Sequence, residues 1–362
     1  MIQGHGDDGY RYKEPIRADF SSNVRYGELD AELERHLRER IGDVTHYPDP
    51  GGERLQQLAA NAWGVDPDQV LVTNGAIEAI YLVAQMFRAS VSSNPSSTIF
   101  TPAFSEYEDA CRLQGMDIHL LPWDGLFTQV PAPLGLAPYR LAAPGLVFIG
   151  NPNNPTGRAL PAEVLKKLVY ENPHCFFIID ESYIEFTVAT KSLLPLLGSY
   201  PNCILLRSLT KSCRIPGLRL GFVIADSGIV NILRRYKIPW SVNRLAIEAG
   251  MFIFNHPSRF SVSPDPLLAA TAIWRRQLQE ATGWVIHPSD THYFLVEISG
   301  AAAPPFTAAA LKEWLVRQHG LLIRDAANFH GLGPYHFRVA CQSPGYNQLL
   351  TDALRQCINT GI

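Results

Sequence analysis

Seven short runs, each strand-sized and apolar on both faces, recur between residues 69 and 225. They are QVLVTN (69–74), STIFTP (97–102), MDIHLLP (116–122), GLVFIGNP (145–152), CFFIID (175–180), NCILLRS (202–208) and RLGFVIA (219–225). Between them lie stretches with helical spacing, such as AIEAIYLVAQMFR (76–88) and AEVLKKLVYE (162–171). A strand that is apolar on both faces must be covered on both. Alternation with helices then implies a mostly parallel sheet with helices on each side. RLGFVIA follows NCILLRS too closely for a crossover helix, so an antiparallel strand is expected there.

At 362 residues the chain exceeds what one core usually serves. Near residues 240–255 the pattern changes. A long helical run, RLAIEAGMFIFNH, leads into HYFLVEI (292–298), GLLIRDA (320–326) and HFRVACQ (336–342). The expected fold is therefore α/β. A large domain (31–245) carries the mostly parallel seven-stranded sheet, and a smaller α+β domain (246–362) follows it. The Pro/Ala-rich SGAAAPPFT (299–307) reads as a surface loop, and no internal repeat is present.

Composition narrows the function classes. A net charge of −3 gives no reason to expect nucleic acid or an anionic membrane as partner. The start, MIQGHGDDGYRYKEP, lacks the apolar centre of a signal peptide, and no apolar run approaches membrane-spanning length. The six cysteines are scattered without a Cys-x-x-Cys pair, which reads as free thiols in a reducing cytoplasm.

Polar residues cluster where the strands end. Asn74-Gly75, Pro102-Ala103-Phe104, Asn154, Asp180, and Ser208 with Lys211 each follow one of the apolar runs. In open α/β sheets, ligands bind outside the carboxyl ends of strands. Several strands presenting polar groups at one edge outweigh any single motif.

Each feature also has a plainer reading. TNGAIEAI is an ordinary strand–helix turn, or else Gly75 and the amides of Ala76 and Ile77 open a helix that binds phosphate. Asp180 closes an all-apolar strand; it is either an exposed turn cap or a buried carboxylate that must be paired. Tyr47, in HYPDPGG, reads by itself as a loop aromatic. Ser208-Leu-Thr-Lys211 matches the Ser-x-x-Lys of penicillin-interacting enzymes, but the Ser-Asp-Asn and Lys-Thr-Gly that should accompany it are missing. No Walker loop supports a nucleotide site.

NPNNPTG (151–157), DESYIEF (180–186) and RSLTKSCRIPGLRLG (207–221), in this order and spacing, resemble the pyridoxal-phosphate enzymes of the aspartate-aminotransferase fold. The resemblance covers essentially the whole chain. It implies that Lys211 forms the Schiff base with pyridoxal 5′-phosphate. Ser208 and Arg219 would bind the cofactor phosphate, together with the helix start at Gly75, Ala76 and Ile77. Asp180 would pair with the pyridinium nitrogen. Asn154 and Tyr183 would bond the ring hydroxyl, and Phe104 or Tyr107 would stack on the ring. Tyr47 would reach the cofactor of a neighbouring subunit, which implies a homodimer with shared active sites. An amino-terminal arm (1–30) would pack with the small domain and the active site.

Two branches of the family fit: threonine-phosphate decarboxylases and histidinol-phosphate aminotransferases. IPGLRLG (215–221), IPWSVN (238–243) and IRDAANFHGL (323–332) resemble the decarboxylases, whose substrate is a phosphorylated amino acid. Arg324 and Arg338 follow strand-like runs of the small domain and suit a carboxylate or phosphate. GHGDD (4–8) is similar to a His-Gly-Gly segment that closes over substrate, which makes His5 a candidate; DFSSN (19–23) places Asn23 in the pocket. Three positions depart from the pattern. His292 stands where the family usually has Asn, Arg214 replaces a small or apolar residue, and GHGDD lacks the second glycine. An effector domain of a transcription regulator would need a DNA-binding domain, for which no residues are spare.

Overall fold

The computed structural model describes residues 4–91, 95–126, 141, 145–299 and 306–360; most of the SGAAAPPFT loop lies outside them. A short strand, β1 (Ala18–Asp19), comes first. Seven strands then build the large sheet: β2 (Val70–Thr73), β3 (Ser96–Thr101), β4 (Asp117–Pro122), β5 (Gly145–Gly150), β6 (Cys175–Asp180), β7 (Cys203–Ser208) and β8 (Gly221–Ile224). The small domain holds β9 (Val285–Ile286), β10 (Tyr293–Glu297), β11 (Leu321–Leu322), β12 (Arg324–Asp325) and β13 (His336–Ala340).

The large sheet runs in the order β2-β8-β7-β6-β5-β3-β4. Only β8 is antiparallel to its neighbours, as the short connection from β7 requires. Alternate residues of each central strand face opposite cores. Val147, Ile149, Phe177, Ile179 and Leu205 belong to one cluster. Leu146, Phe148, Ile178, Ile204 and Leu206 belong to the other. This two-sided burial explains why these strands lack polar alternation.

The helix Arg244–Asn255 packs Ala246, Ile247, Ala249 and Ile253 into the first of these clusters. The chain therefore leaves the large-sheet core after this helix rather than at residue 245. The next long helix, Pro264–Thr282, places Trp274 and Leu278 in the core of the small domain. There the antiparallel sheet β12-β13-β10-β9 contributes Phe294, Val296, Phe337 and Val339.

GLLIRDA, a single run in the sequence, divides into β11 and β12 because the chain changes partner. Leu321 and Leu322 pair in parallel with Ala18 and Asp19, whereas Arg324 and Asp325 pair with β13. The amino-terminal segment thus joins the small domain, with Phe20 in its core and Asp8 ion-paired to Lys312 at 2.6 Å. Among the described residues no helix is long and apolar enough to cross a membrane. All six cysteines are buried, and none of them forms a disulfide.

Candidate active site

A cavity of about 350 Å³ opens at the carboxyl ends of β5, β6 and β7, beneath the small domain. Its walls include Lys211, Asp180, Tyr183, Asn154, Ser208, Arg219, Ala76, Ile77, Phe104 and Tyr107 from the large domain. His5, Asn23, Arg324 and Arg338 complete it from the arm and the small domain. Of the residues singled out above, Gly75 backs the cavity rather than lining it, and Tyr47 lies elsewhere.

One end is built for an anion. The 16-residue helix Gly75–Ser90 starts there, directing the amides of Ala76 and Ile77 at the space beside Ser208 and Arg219. Gly75 has φ +74°, and a Cβ on it would lie 2.6 Å from Arg219 Nη2. The left-handed φ favours glycine here, and any side chain would also have to displace the Arg219 guanidinium. Arg219 is itself left-handed, at φ 62°, with Nη1 donating to the Pro216 carbonyl at 3.1 Å. Two contributors escaped the sequence reading. Thr210 lines this end and pairs its hydroxyl with Ser208 at 2.8 Å. Gly221 lets β8 pass under the helix start, since a Cβ there would sit 2.5 Å from the Ala76 nitrogen. A glycine opening a strand run is a signal of such a close approach.

Asp180 lies elsewhere on the wall, at the end of β6. It is buried, accepting the Tyr107 hydroxyl at 2.7 Å and the Ser182 amide at 2.9 Å. Burial pushes its carboxyl upward, and these donors work against that shift. Tyr107 stacks on Phe148, with centroids 5.0 Å apart and planes within 11°. One of its faces is thus covered, and Phe104, partly buried and edge-on to Tyr107, is the aromatic open to the cavity. Tyr183 accepts from Asn23 Nδ2 at 3.3 Å.

Lys211 follows β7 in the turn that borders the cavity. Burial, followed by the cations Arg338 and Arg219, lowers its amine to about 8. Near neutral pH such an amine is far more often unprotonated, and so nucleophilic, than an exposed lysine.

Arg324 and Arg338 are both buried, yet neither has a carboxylate partner within ion-pair distance among the described residues. Arg338 donates to the Asn154 side chain and to the Ser21 carbonyl, leaving Nε without a partner. Arg324 donates to the Gly4 and Asp325 carbonyls and to Asn328 Oδ1. Burial lowers both, with Arg324 brought to about 10, to which Arg338 contributes. Two buried guanidiniums with no carboxylate in contact among the described residues form a site that an anion would stabilise.

The departures from the family pattern have separate structural roles. Arg214 turns away from the cavity and ties down the Tyr26 and Glu28 carbonyls. His292 is fully buried, with Nε2 donating to the Asn23 carbonyl at 3.1 Å, which fixes the loop carrying Asn23. The GHGDDG run (4–9) has the glycine spacing of a dinucleotide fingerprint. It leads into a three-residue turn of 3₁₀ helix rather than a long helix. Tyr47 is 81% exposed and rests on Trp240 outside the cavity.

A separate cluster, His287, Glu297 and His336, occupies the small-domain sheet. His336 Nδ1 accepts the Gly333 amide, so Nε2 keeps its proton toward Glu297, an arrangement poorly suited to a cation.

Comparisons with known proteins bear on the family and the fold. The aminotransferase class I and II family matches residues 19–355. Threonine-phosphate decarboxylase of Salmonella typhimurium is 30% identical over 353 residues, covering 95% of this chain and 92% of its own. Histidinol-phosphate aminotransferase 2 of Pseudomonas fluorescens is also 30% identical, over 331 residues, covering 90% of this chain and 84% of its own. The crystal structure of L-threonine-O-3-phosphate decarboxylase from Porphyromonas gingivalis superimposes with a TM-score of 0.85 at 33% identity, covering 94% of this chain and 99% of that one. A histidinol-phosphate aminotransferase from Sinorhizobium meliloti, solved with pyridoxal-5′-phosphate, shares the fold at TM-score 0.73 and 18% identity, with 96% and 92% covered.

The residues present fit that cofactor. An anion cradle that leaves no room for a Cβ, an open aromatic, a buried carboxylate and a low-pKa amine all border one cavity.

Proposed function

The chain belongs to the aminotransferase class I and II family of pyridoxal 5′-phosphate enzymes, and on that premise we propose that it decarboxylates L-threonine O-3-phosphate. The product is (R)-1-amino-2-propanol O-2-phosphate, a unit for cobalamin biosynthesis, and the enzyme works as a cytoplasmic homodimer. The observation that carries this reading is the unpaired guanidinium pair, Arg324 and Arg338, over the cavity that holds Lys211. IPGLRLG and IRDAANFHGL support the decarboxylase branch over the aminotransferase branch.

Bound there, pyridoxal 5′-phosphate supplies an aldehyde for the substrate amine and a cationic ring that accepts the electron pair released at Cα. Ser208, Thr210, Arg219 and the amides of Ala76 and Ile77 hold its phosphate. Asp180 keeps a proton on the ring nitrogen, and Asn154 with Tyr183 orients the ring oxygen. Arg324 and Arg338 would hold the substrate's anionic groups and so choose which group at Cα is exposed to the cofactor; in this reading it is the carboxylate, lost as CO₂. Lys211, whose amine exchanges protons near neutral pH, returns one proton to Cα.

The test is product identity without any keto acid. Purified protein given L-threonine O-3-phosphate should release CO₂ and aminopropanol phosphate in equal amounts. Amino transfer from histidinol phosphate to 2-oxoglutarate, with no CO₂ from threonine phosphate, would overturn the proposal in favour of the aminotransferase branch.

A further inference from the structure

Glu106 lies in the helix Ser105–Leu113, between Phe104 and Tyr107, and is 6% exposed. A carboxylate so buried needs donors. It has two: the Tyr81 hydroxyl at 2.7 Å and His5 Nε2 at 2.9 Å. Burial alone would push this carboxyl up, but the bonds from His5 and Tyr81 hold it below its usual range.

His5 belongs to the amino-terminal arm, whose first described residues, 4–8, are otherwise fastened to the small domain or to the arm itself. Gly4 takes bonds from Arg324 and Asn328, the Asp7 amide donates to Ser21, and Asp8 pairs with Lys312. His5–Glu106 is the arm's one ion pair with the large domain among the described residues. The His5 ring also borders the cavity, 6.1 Å from Phe104.

We infer that Glu106 is a positioning residue: it binds His5 Nε2, docks the arm across the cavity mouth, and leaves Nδ1 as the ring nitrogen that donates to the anionic tail of the substrate when the ring carries both protons. Because the carboxylate accepts from Nε2, that nitrogen carries a proton, and the other ring nitrogen becomes the one free to face a ligand. Tyr81 holds the carboxylate from behind. The substrate half of this inference rests on the phosphorylated-substrate reading above; the docking half does not.

The experiment is a double-mutant cycle on the holoenzyme with Glu106→Gln, His5→Ala and the pair. Each variant is first checked for cofactor absorbance and melting temperature. Glu106→Gln should raise KM for threonine phosphate about tenfold while kcat changes less than about threefold. Turnover of plain threonine should not change. The double variant should be no worse than His5→Ala, since one residue acts through the other. Additive losses, or equal losses on both substrates, would overturn the positioning role. His330→Ala breaks a neighbouring ion pair onto the same helix, with Glu108 at 2.8 Å. It should leave the phosphate preference intact, and an effect equal to that of Glu106→Gln would reduce both to general interdomain contacts. If histidinol phosphate proves to be the substrate, the cycle is run with it, and the reaction proposal fails alone. Docking has its own readout: trypsin cleavage after the exposed Arg11 should accelerate several-fold in Glu106→Gln, and an unchanged rate overturns it.

Discussion

The phenol of Tyr107 donates to the carboxylate of Asp180 across 2.7 Å, where β6 ends at the cavity wall. The same tyrosine stacks on Phe148 of the neighbouring strand, so the hydroxyl is held in place by packing. Asp180 accordingly stays fixed as an acceptor in a low-dielectric site, where a charge acts strongly on whatever it faces. Asp180→Asn preserves the shape and removes the charge. Turnover should fall on the order of a hundredfold to a thousandfold while cofactor absorbance remains. Tyr107→Phe should cost about tenfold, because one charge-assisted bond is lost. Steady-state kinetics beside visible spectra check both, and a fully active Asp180→Asn would remove Asp180 from the chemistry.

Lys211 owes its lowered amine to burial first and to Arg338 and Arg219 second. Below about pH 8 its neutral fraction falls tenfold per pH unit. The rate at which cofactor-free protein takes up pyridoxal 5′-phosphate should follow that fraction, rising with pH and levelling above the midpoint. Arg338→Met removes a neighbouring positive charge, which favours the ammonium form. The midpoint should therefore move to higher pH in that variant. Stopped-flow absorbance across roughly pH 6 to pH 10, which brackets this titration, reads it directly; a midpoint that stays put would show that Arg338 does not act on the amine.

Burial, with smaller contributions from Arg338, Lys211 and Arg25, lowers His292 from 6.5 to about 3 despite its bond to the Asn23 carbonyl. The unfolded chain binds this proton at mildly acid pH and the folded protein does not. Stability should therefore be complete above about pH 6.5 and decline as pH falls toward about 3. The contribution is about 1.4 kcal/mol per pH unit within that window. His292→Gln keeps a nitrogen donor for Asn23 without a titrating ring. Urea unfolding at several pH values should give a flatter acid slope for the variant, and parallel slopes would exclude His292 as a source.

The large sheet was legible because every central strand is buried on both sides and so carries an unbroken apolar run. The anion cradle was legible because Ser208, Lys211 and Arg219 lie within one short segment. What the sequence concealed depends on contacts between distant segments. Glu106 sits in FSEY beside two recognised aromatics, but nothing local reveals that His5, a hundred residues away, donates to it. Thr210 stands inside the SLTK motif, yet its pairing with Ser208 appears only once the turn is folded. The split of GLLIRDA was hidden for a similar reason, since β1 takes one half and β13 the other. The choice between Phe104 and Tyr107 needed the position of Phe148, which lies on a different strand.

Tyr47 is the one residue singled out from the sequence that the single chain leaves far from the cavity, exposed and packed on Trp240. Ile238, two residues before that tryptophan, is 72% exposed, so the segment offers exposed apolar side chains beside the tyrosine's partner. A homodimer that buried these side chains could carry Tyr47 to the partner's phosphate cradle. Mixing Tyr47→Phe subunits with Lys211→Ala subunits tests the crossing. In a mixed dimer, one site would combine the intact Lys211 of one subunit with the intact Tyr47 of the other. Half of the dimers are mixed after random exchange and each has one sound site, so about a quarter of wild-type activity should return. Lys211→Ala alone should be inactive, and Tyr47→Phe alone should lose cofactor more readily on dilution. Subunit exchange is verified with differently tagged chains. Exchange without recovery beyond the Tyr47→Phe baseline would place Tyr47 in its own subunit's chemistry or outside the site altogether.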